Sequence, residues 1–497
     1  MAIPWYETLL EYLLPVVVLL STLFTFVLVT LPAPYSSFEG TKFGEEDFNK
    51  DDKANPDDSG YAFYQRHKNE DGTFRPASTI QILVLGDIGR SPRMQYHALS
   101  VAAHGGAVQL IGYVESDIHP SIKTSRLITI IPIKPFPRWL QTPNKLLFLL
   151  TAPLKALWQA ASLYLALGYS CHPSKWMLVQ NPPSIPTLAV ARAICFLRRT
   201  RLIIDWHNFG YSILALRLGP SHPLVRIAEW YEGFFSGGAT AHFAVTRAMC
   251  RVLKEKWDIA AVPLHDRPPS HFQPLTPSQR SNFLTTNSKT APYASAILSK
   301  QTRLLVSSTS WTPDEDFTIL LRALQNYATA TLTRASTSTP LPSILAIITG
   351  KGPLQSDYLN QIRTLQRQQK LPNIHVLTTW LSAADYARLL GSADLGISLH
   401  TSSSGVDLPM KVVDMFGTGL PVAGWSGFEA WPELVTEGEN GVGFVSSERL
   451  EGILVRLFEG DGGELGRLRK GAGRECGRRW EGEWMPVAGK LLELPEV

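Results

Sequence analysis

Between residues 394 and 422 the chain sets out residue types that could hold a phosphorylated sugar. Asp394-Leu395-Gly396-Ile397-Ser398-Leu399 alternates apolar residues like a strand. A small polar loop follows, Ser402-Ser403-Ser404-Gly405-Val406-Asp407. Pro409 stands where a helix can begin without losing a hydrogen bond, and Asp407 or a nearby serine is expected to cap it. Gly417 and Gly419 end the helix, and Leu420-Pro421-Val422-Ala423 reads as the next strand. A strand, a loop and a helix start make an anion site, because free N–H groups and the helix dipole point at whatever sits there. Lys411 and Asp414 lie three apart and share one helix face. A cation for phosphate beside a carboxylate for hydroxyls meets the needs of a nucleotide-sugar site. A second reading fits the same residues: a buried βαβ unit in which Lys411 and Asp414 form an ordinary ion pair.

Two further groups carry chemistry. Leu202-Ile203-Ile204-Asp205-Trp206-His207-Asn208 is a strand with polar residues at its carboxyl end, where sites of α/β proteins form. Asp205 and His207 leave that strand on the same side, which makes the pair a general-base candidate. Gly86-Asp87-Ile88-Gly89-Arg90-Ser91-Pro92-Arg93 follows the strand Gln81–Leu85 and precedes a helix. It is not a G-x-G-x-x-G loop, so no dinucleotide site is read from it. Asp87, Arg90 and Arg93 are a costly cluster to place without a use, and the arginines suit a diphosphate. Lys351, in the turn after the strand Ser343–Thr349, is a further phosphate contact.

The elements that must position these groups are those of two α/β domains. In the first, strands are expected at Gln81–Leu85, Val108–Tyr113, Ile128–Pro132, Trp176–Gln180, Leu202–Tyr211 and Ala241–Thr246. The pattern restarts with Leu304–Ser308, Ser343–Thr349 and Ile374–Leu377. The boundaries follow: an N-terminal anchor over 1–35, a polar linker over 36–78, a first domain over 79–272, a polar insert over 273–300, a second domain over 301–470 and a tail over 471–497. Pro274–Lys300 and residues 333–343 are rich in Ser, Thr, Asn and Pro and read as loops. Residues 144–169 are unusually apolar but interrupted by Pro153 and Lys155; they fit a core helix pair or a face resting on a membrane.

At 497 residues, 44% of them hydrophobic and 18% charged, the chain can build two or three cores. A net charge of only +4 argues against a nucleic-acid protein, which would show a concentrated basic face. Cys171, Cys195, Cys250 and Cys476 are far apart, with no metal-like spacing, and fit reduced thiols. Tyr12–Leu31 carries no charge over about 20 residues, enough to span a bilayer. Trp5, Tyr6 and Tyr35 flank it, as interfacial aromatics do. The stretch before it lacks Lys and Arg and carries Glu7 and Glu11, which argues for an uncleaved single-pass anchor over a signal peptide.

From Ile82 to Gly441 the chain resembles the chitobiosyldiphosphodolichol β-mannosyltransferases, glycosyltransferases of the GT-B type. The likeness is carried by Gly86–His97, Asp205–Tyr211, Thr309–Phe317 and His400–Val422. It implies two Rossmann-like domains facing a cleft, and transfer of mannose from GDP-mannose to dolichyl-diphosphate-linked chitobiose through a β-1,4 bond. That reaction inverts the donor anomer. It implies Lys351, Ser404, Gly405, Asp407, Lys411 and Asp414 at the donor, and Arg90 and Arg93 at the acceptor diphosphate. Asp87 is the first candidate base, ahead of Asp205 and His207. No metal is required, and a helper Mg²⁺ on the diphosphates is compatible with the chemistry. The resemblance also implies the cytosolic face of the endoplasmic reticulum membrane, with other mannosyltransferases of the pathway as candidate partners. Asp314-Glu315-Asp316 matches a D-x-D metal word of a different fold, but acids in a first helical turn are ordinary dipole partners. The chain also departs from the wider retaining GT-B enzymes. Val406 stands where those carry the first of two glutamates, and Ser310 and Glu315 stand where their phosphate-binding Arg and Lys fall. Donor phosphate contacts are thus expected from Lys411, Lys351 or the helix start. The alternative is a non-catalytic, membrane-tethered saccharide-binding or scaffold relative of the same fold.

Overall fold

The computed structural model describes residues 5–30, 35, 68–69, 72–137, 145–312, 315–334, 340–460 and 462–496. The chain forms two compact units. One comprises Met1–Ile204, Tyr231–Thr240 and Leu492–Val497; the other comprises Asp205–Trp230 and Ala241–Leu491.

Two parallel sheets organise the chain. The first runs β3-β2-β1-β4-β5-β6-β7, with β1 Thr79–Asp87, β2 Ala107–Tyr113, β3 Ile128–Pro132, β4 Trp176–Asn181, β5 Arg201–Trp206, β6 Ala241–Ala244 and β7 Val262–Pro263. The second runs β10-β9-β8-β11-β12-β13, with β8 Thr302–Ser308, β9 Ser343–Thr349, β10 Ile374–Thr379, β11 Leu395–Ser398, β12 Val422–Trp425 and β13 Gly441–Phe444. Both have the doubly wound order, in which the chain starts in the middle and reverses direction. The reversal falls between β1 and β4 in one sheet and between β8 and β11 in the other. Strands buried on both faces by helices need continuous apolar runs, and β8 and β9 supply them. Leu305, Ile344 and Ile397 pack against Leu320, Leu324 and Tyr327 of one helix and Leu450 and Ile453 of another.

The helices that matter below are α1 Trp5–Thr30, α2 Pro92–Ala103, α3 Lys145–Leu165, α4 Gly210–Leu218, α5 Pro223–Ser236, α6 Arg247–Trp257, α7 Pro277–Thr286, α8 Phe317–Arg334 and α9 Met410–Gly417. The expected span over Tyr12–Leu31 coincides with α1, yet among the described residues no helix is long and apolar enough to cross a membrane. Most of the 36–78 linker lies outside the described residues. Residues 144–169 give one helix, α3, with Pro153 inside it, and a π-turn at Ala166–Ser170, not a helix pair. Pro274–Lys300 is no loop: α7 lies within it, opened by a capping box in which Thr276 and Gln279 satisfy each other's backbone N–H groups. The chain's end joins the first unit, where Glu493 pairs with Lys175 at 2.6 Å and the Pro495 carbonyl lies 2.8 Å from His104 Nδ1. None of the four cysteines forms a disulfide, and burial pushes the Cys171 and Cys195 thiols up to about 12.

Candidate active site

The loops after β8 and β11 leave the second sheet at its reversal point, where open α/β sheets place their ligands. The loop after β8 is drawn tight. A Cβ on Gly352 would meet the Ser310 carbonyl oxygen at 1.7 Å, and one on Gly350 would meet that of Thr309 at 1.8 Å. Only glycines allow this approach, and Gly350 also has φ +136°. The loop carries Glu315, 2% exposed, which accepts hydrogen bonds from Thr309 Oγ1 at 2.6 Å and Ser310 N at 2.8 Å. Its other oxygen holds Lys411 Nζ. The cation expected at the donor is therefore paired with Glu315, not with Asp414. Asp316 does what an acid before a helix should, accepting from Thr318 N at 2.9 Å at the start of α8.

The loop after β11 folds around Asp407. This buried carboxylate accepts from Asn208 Nδ2 at 3.1 Å, from Ser402 Oγ, and from His400 Nε2 at 3.2 Å. Burial alone would push Asp407 up, but the His400 hydrogen bond and charge and the Ser402 hydroxyl hold it below the ordinary carboxylate value. Ser402 Oγ also accepts from Gly405 N at 2.7 Å, and Gly405 has φ +76°. Asp407 is thus the internal brace of the loop and not the cap of α9. Pro409 is the N-cap residue and offers no side-chain hydrogen bond to the helix. The first N–H groups of α9 are left to an anion. Ser404 Oγ is buried without a hydrogen-bond partner among the described residues. Asp414 lies one turn further along α9. Burial, and then the negative charge of Asp266, raise it to about 8, which favours the protonated, hydrogen-bond-donating form. Lys351 is exposed, with its ammonium 4.8 Å from the Trp380 ring centre.

The Asp205 group belongs to this same unit. Asp205 is fully buried at the end of β5, and its Oδ2 lies 3.0 Å from His207 Nε2. A carboxylate that holds Nε2–H leaves Nδ1 as the basic nitrogen, which is how a histidine base is kept in one tautomer. The next residue, Asn208, bonds Ser403 Oγ at 3.0 Å as well as Asp407, so the β5 terminus and the β11 loop are tied directly. Thr246 Oγ1 adds a bond to the Val406 carbonyl at 2.6 Å. Glu433, from the acidic stretch before Asn440-Gly441, caps α6 through Arg247 N at 2.6 Å and Ala248 N at 2.7 Å, with His265 at 3.2 Å. Sequence reasoning placed these motifs in separate domains. It missed the bracing roles of Glu315, His400, Thr246 and Glu433; Lys411, Val406 and Arg247, the partners of Glu315, Thr246 and Glu433, lie 96, 160 and 186 residues away, while His400 meets Asp407 across a loop of seven.

Asp87, Arg90 and Arg93 lie in the first unit, where the loop after β1 leaves the sheet at its own reversal point. Asp87 Oδ1 accepts from the backbone N–H groups of Glu115 at 3.1 Å, Ser116 at 3.2 Å and Gly89 at 3.3 Å. Burial opposes ionisation, but the hydrogen bonds from Ser116, Glu115 and Gly89 prevail and hold Asp87 below its ordinary value. That makes it a good brace and a weak base. Its Oδ2 lies 3.5 Å from Arg90 Nε, and the Arg90 side chain is 82% exposed. Arg93 is buried in the first turn of α2, so the two arginines have different surroundings.

No protein-family model matches the chain. The chitobiosyldiphosphodolichol beta-mannosyltransferase of Arthroderma benhamiae is 55% identical over 371 residues, 74% of this chain and 82% of the relative. The Homo sapiens protein of the same name is 40% identical over 84% of this chain and 93% of its own length. Among solved structures, Anabaena Alr3699/HepE in complex with UDP-glucose superposes with a TM-score of 0.59 at 16% identity, over 84% of this chain and all of the other; at that identity it speaks for the fold alone. The chain belongs to the chitobiosyldiphosphodolichol β-mannosyltransferase family.

Proposed function

We propose that this protein transfers mannose from GDP-mannose to the terminal sugar of chitobiose carried on dolichyl diphosphate, forming a β-1,4 bond with inversion. The observation that carries this reading is the uncapped start of α9, with Lys411 in its first turn and the unpartnered Ser404 hydroxyl in the loop before it. An α-linked donor attacked in line by an acceptor hydroxyl gives the β product through an oxocarbenium-like transition state. The leaving diphosphate gathers negative charge, and in this reading the α9 N–H groups and Lys411 receive it. Neutral Asp414 donates a hydrogen bond to the donor without adding a charge beside the phosphates. His207, oriented by Asp205, takes the proton of the acceptor hydroxyl. We assign the base to this pair ahead of Asp87, whose carboxylate is held by three backbone N–H groups. Arg90 meets the acceptor diphosphate. The apolar α1 holds the protein to the endoplasmic reticulum membrane, with its domains in the cytosol, where other mannosyltransferases of the pathway are candidate partners.

A donor panel tests the reading. Titration of the full chain with GDP, GDP-mannose, GDP-glucose, UDP-glucose and UDP-N-acetylglucosamine is expected to show binding of GDP-mannose and GDP, with uridine nucleotides at least about tenfold weaker. Preferential binding of a uridine nucleotide would overturn the donor assignment. Absence of any nucleotide-sugar binding by folded protein would favour a scaffold.

A further inference from the structure

The consecutive helices α4 and α5 follow the Asp205–Asn208 group, and each exposes apolar side chains. Ile213, Leu216 and Leu218 on α4 and Leu224, Ile227 and Trp230 on α5 are all exposed, with Leu216 at 59%, Ile227 at 54% and Trp230 at 61%. On α5 the exposed positions recur three apart, while Val225 and Ala228 between them are buried. The helix is therefore amphipathic twice over, with one apolar stripe in the core and a second facing out. A stripe of this size on a soluble surface marks an interaction site.

The charges beside the stripe say what covers it. Arg217 and Arg226 are exposed and have no ionic partner among the described residues. The nearby acid, Glu229, is held by Lys256, which also donates to Tyr211 Oη at 2.9 Å. The face thus presents aliphatic side chains and a tryptophan ringed by unneutralised arginines, the composition of a helix that lies in an anionic membrane interface. Its underside is rigid. Trp206, Phe209, Tyr211 and Trp257 pack ring against ring with centres 5.5–6.0 Å apart, Phe209 stacked on Tyr211 and Tyr211 edge-on to Trp257, and Lys256 lies 4.2 Å from the Tyr211 ring centre. We propose that the α4–α5 segment is a membrane-docking element that inserts its outer apolar side chains among anionic headgroups. It would set the orientation of the adjoining Asp205–Asn208 segment to the bilayer, which a single N-terminal tether cannot do.

The test uses the full chain in phosphatidylcholine vesicles containing phosphatidylserine. An environment-sensitive fluorophore is attached at Ile227→Cys, and for comparison at Lys370→Cys, with Cys250 and Cys476 replaced by serine. Lipids carrying a shallow nitroxide are expected to quench the label at 227 about threefold more than the label at 370. Arg217→Glu with Arg226→Glu is expected to remove at least about half of that excess, as will replacing phosphatidylserine by phosphatidylcholine. Equal quenching at both sites overturns the proposal. So does a label at 227 that is shielded from aqueous iodide yet not quenched by lipid, because a protein partner would then cover the stripe. Mannose transfer measured on the same vesicles is a separate readout, so a failed quenching test with intact transfer removes the docking element and leaves the assigned reaction standing.

Discussion

Lys411 is asked to do two things, to neutralise buried Glu315 and to meet the donor diphosphate, and the two can be separated. Removing one partner of a buried ion pair costs about 3–5 kcal/mol, because the other charge is left uncompensated. Glu315 keeps its hydrogen bonds from Thr309 Oγ1 and Ser310 N in Lys411→Ala, and Lys411 is 27% exposed, so the lower end applies. A loss of about 3 kcal/mol is expected, which lowers Tm by roughly 6–12 °C for a unit of this size. In Glu315→Gln with Lys411→Ala the buried charge is gone and the amide oxygen still accepts both bonds. The double variant should therefore recover about 1.5–2 kcal/mol relative to Lys411→Ala alone. Donor binding should not recover. A lost charge-assisted phosphate contact is worth about 1.5–3 kcal/mol, or roughly 10- to 150-fold in GDP affinity. Glu315→Gln alone frees Lys411 and should bind GDP at least as well as the parent. The assays are thermal unfolding and calorimetric titration with GDP on all four proteins. A double variant no more stable than Lys411→Ala, or a Glu315→Gln protein as weak for GDP as Lys411→Ala, would refute the division of roles.

His207→Ala should lower kcat by about 10²–10⁴-fold with little change in GDP affinity, and Asp205→Asn should follow it, whereas Asp87→Asn should lose stability and retain more turnover; single-turnover transfer assays rank the three. Asp414 is raised by burial and by Asp266, so the folded state holds a proton that the unfolded chain releases. That contribution is complete below about pH 4 and disappears as pH rises through about 8, a few kcal/mol in all, and unfolding of Asp414→Asn across pH 5–9 should lack this decline. Glu433 has the opposite sign. Burial would raise it, but His265 and the N–H groups of Arg247 and Ala248 lower it, so its contribution is present above about pH 4.5 and is lost as pH falls through its folded value. Glu433→Ala should cost about 1–2 kcal/mol at neutral pH, measured by urea unfolding, and lose that acid limb. Gly352→Ala, which would drive a Cβ into the Ser310 carbonyl, should weaken GDP binding through the loop that carries Glu315, as read by the same titration.

Much of this arrangement is legible along the chain because it is local. Parallel strands buried on both faces must be apolar throughout, so most strands of both sheets announce themselves, Ile128–Pro132 to the residue. The two missed strands are weak signals: Val262–Pro263 is two residues long, and Gly441–Phe444 is half glycine. The Pro274–Lys300 segment was expected to be a loop because its composition is polar. Its Thr276-Pro277-Ser278-Gln279 start was the helix signal, and the capping box outweighs composition. The donor loop was legible as a strand, turn and helix start. The pairing inside it was not, since spacing along a helix shows which side chains share a face but not what stands opposite. Lys411 and Asp414 share a face as expected, yet Glu315 from another loop takes the lysine, and Asp266 from another segment raises the acid. Asn208 looked like part of a separate first domain, and only the folded chain puts its amide on Ser403 and Asp407.

The central claim is an inverting transfer of one mannose. The direct measurement is to incubate the full chain with GDP-mannose and phytanyl-diphosphate chitobiose, isolate the product, and treat it separately with β- and α-mannosidase. A single added mannose, released by the β-specific enzyme alone and absent with Lys411→Ala, is the result this account predicts. An α-linked mannose, or no transfer by folded protein that binds GDP-mannose, would contradict it.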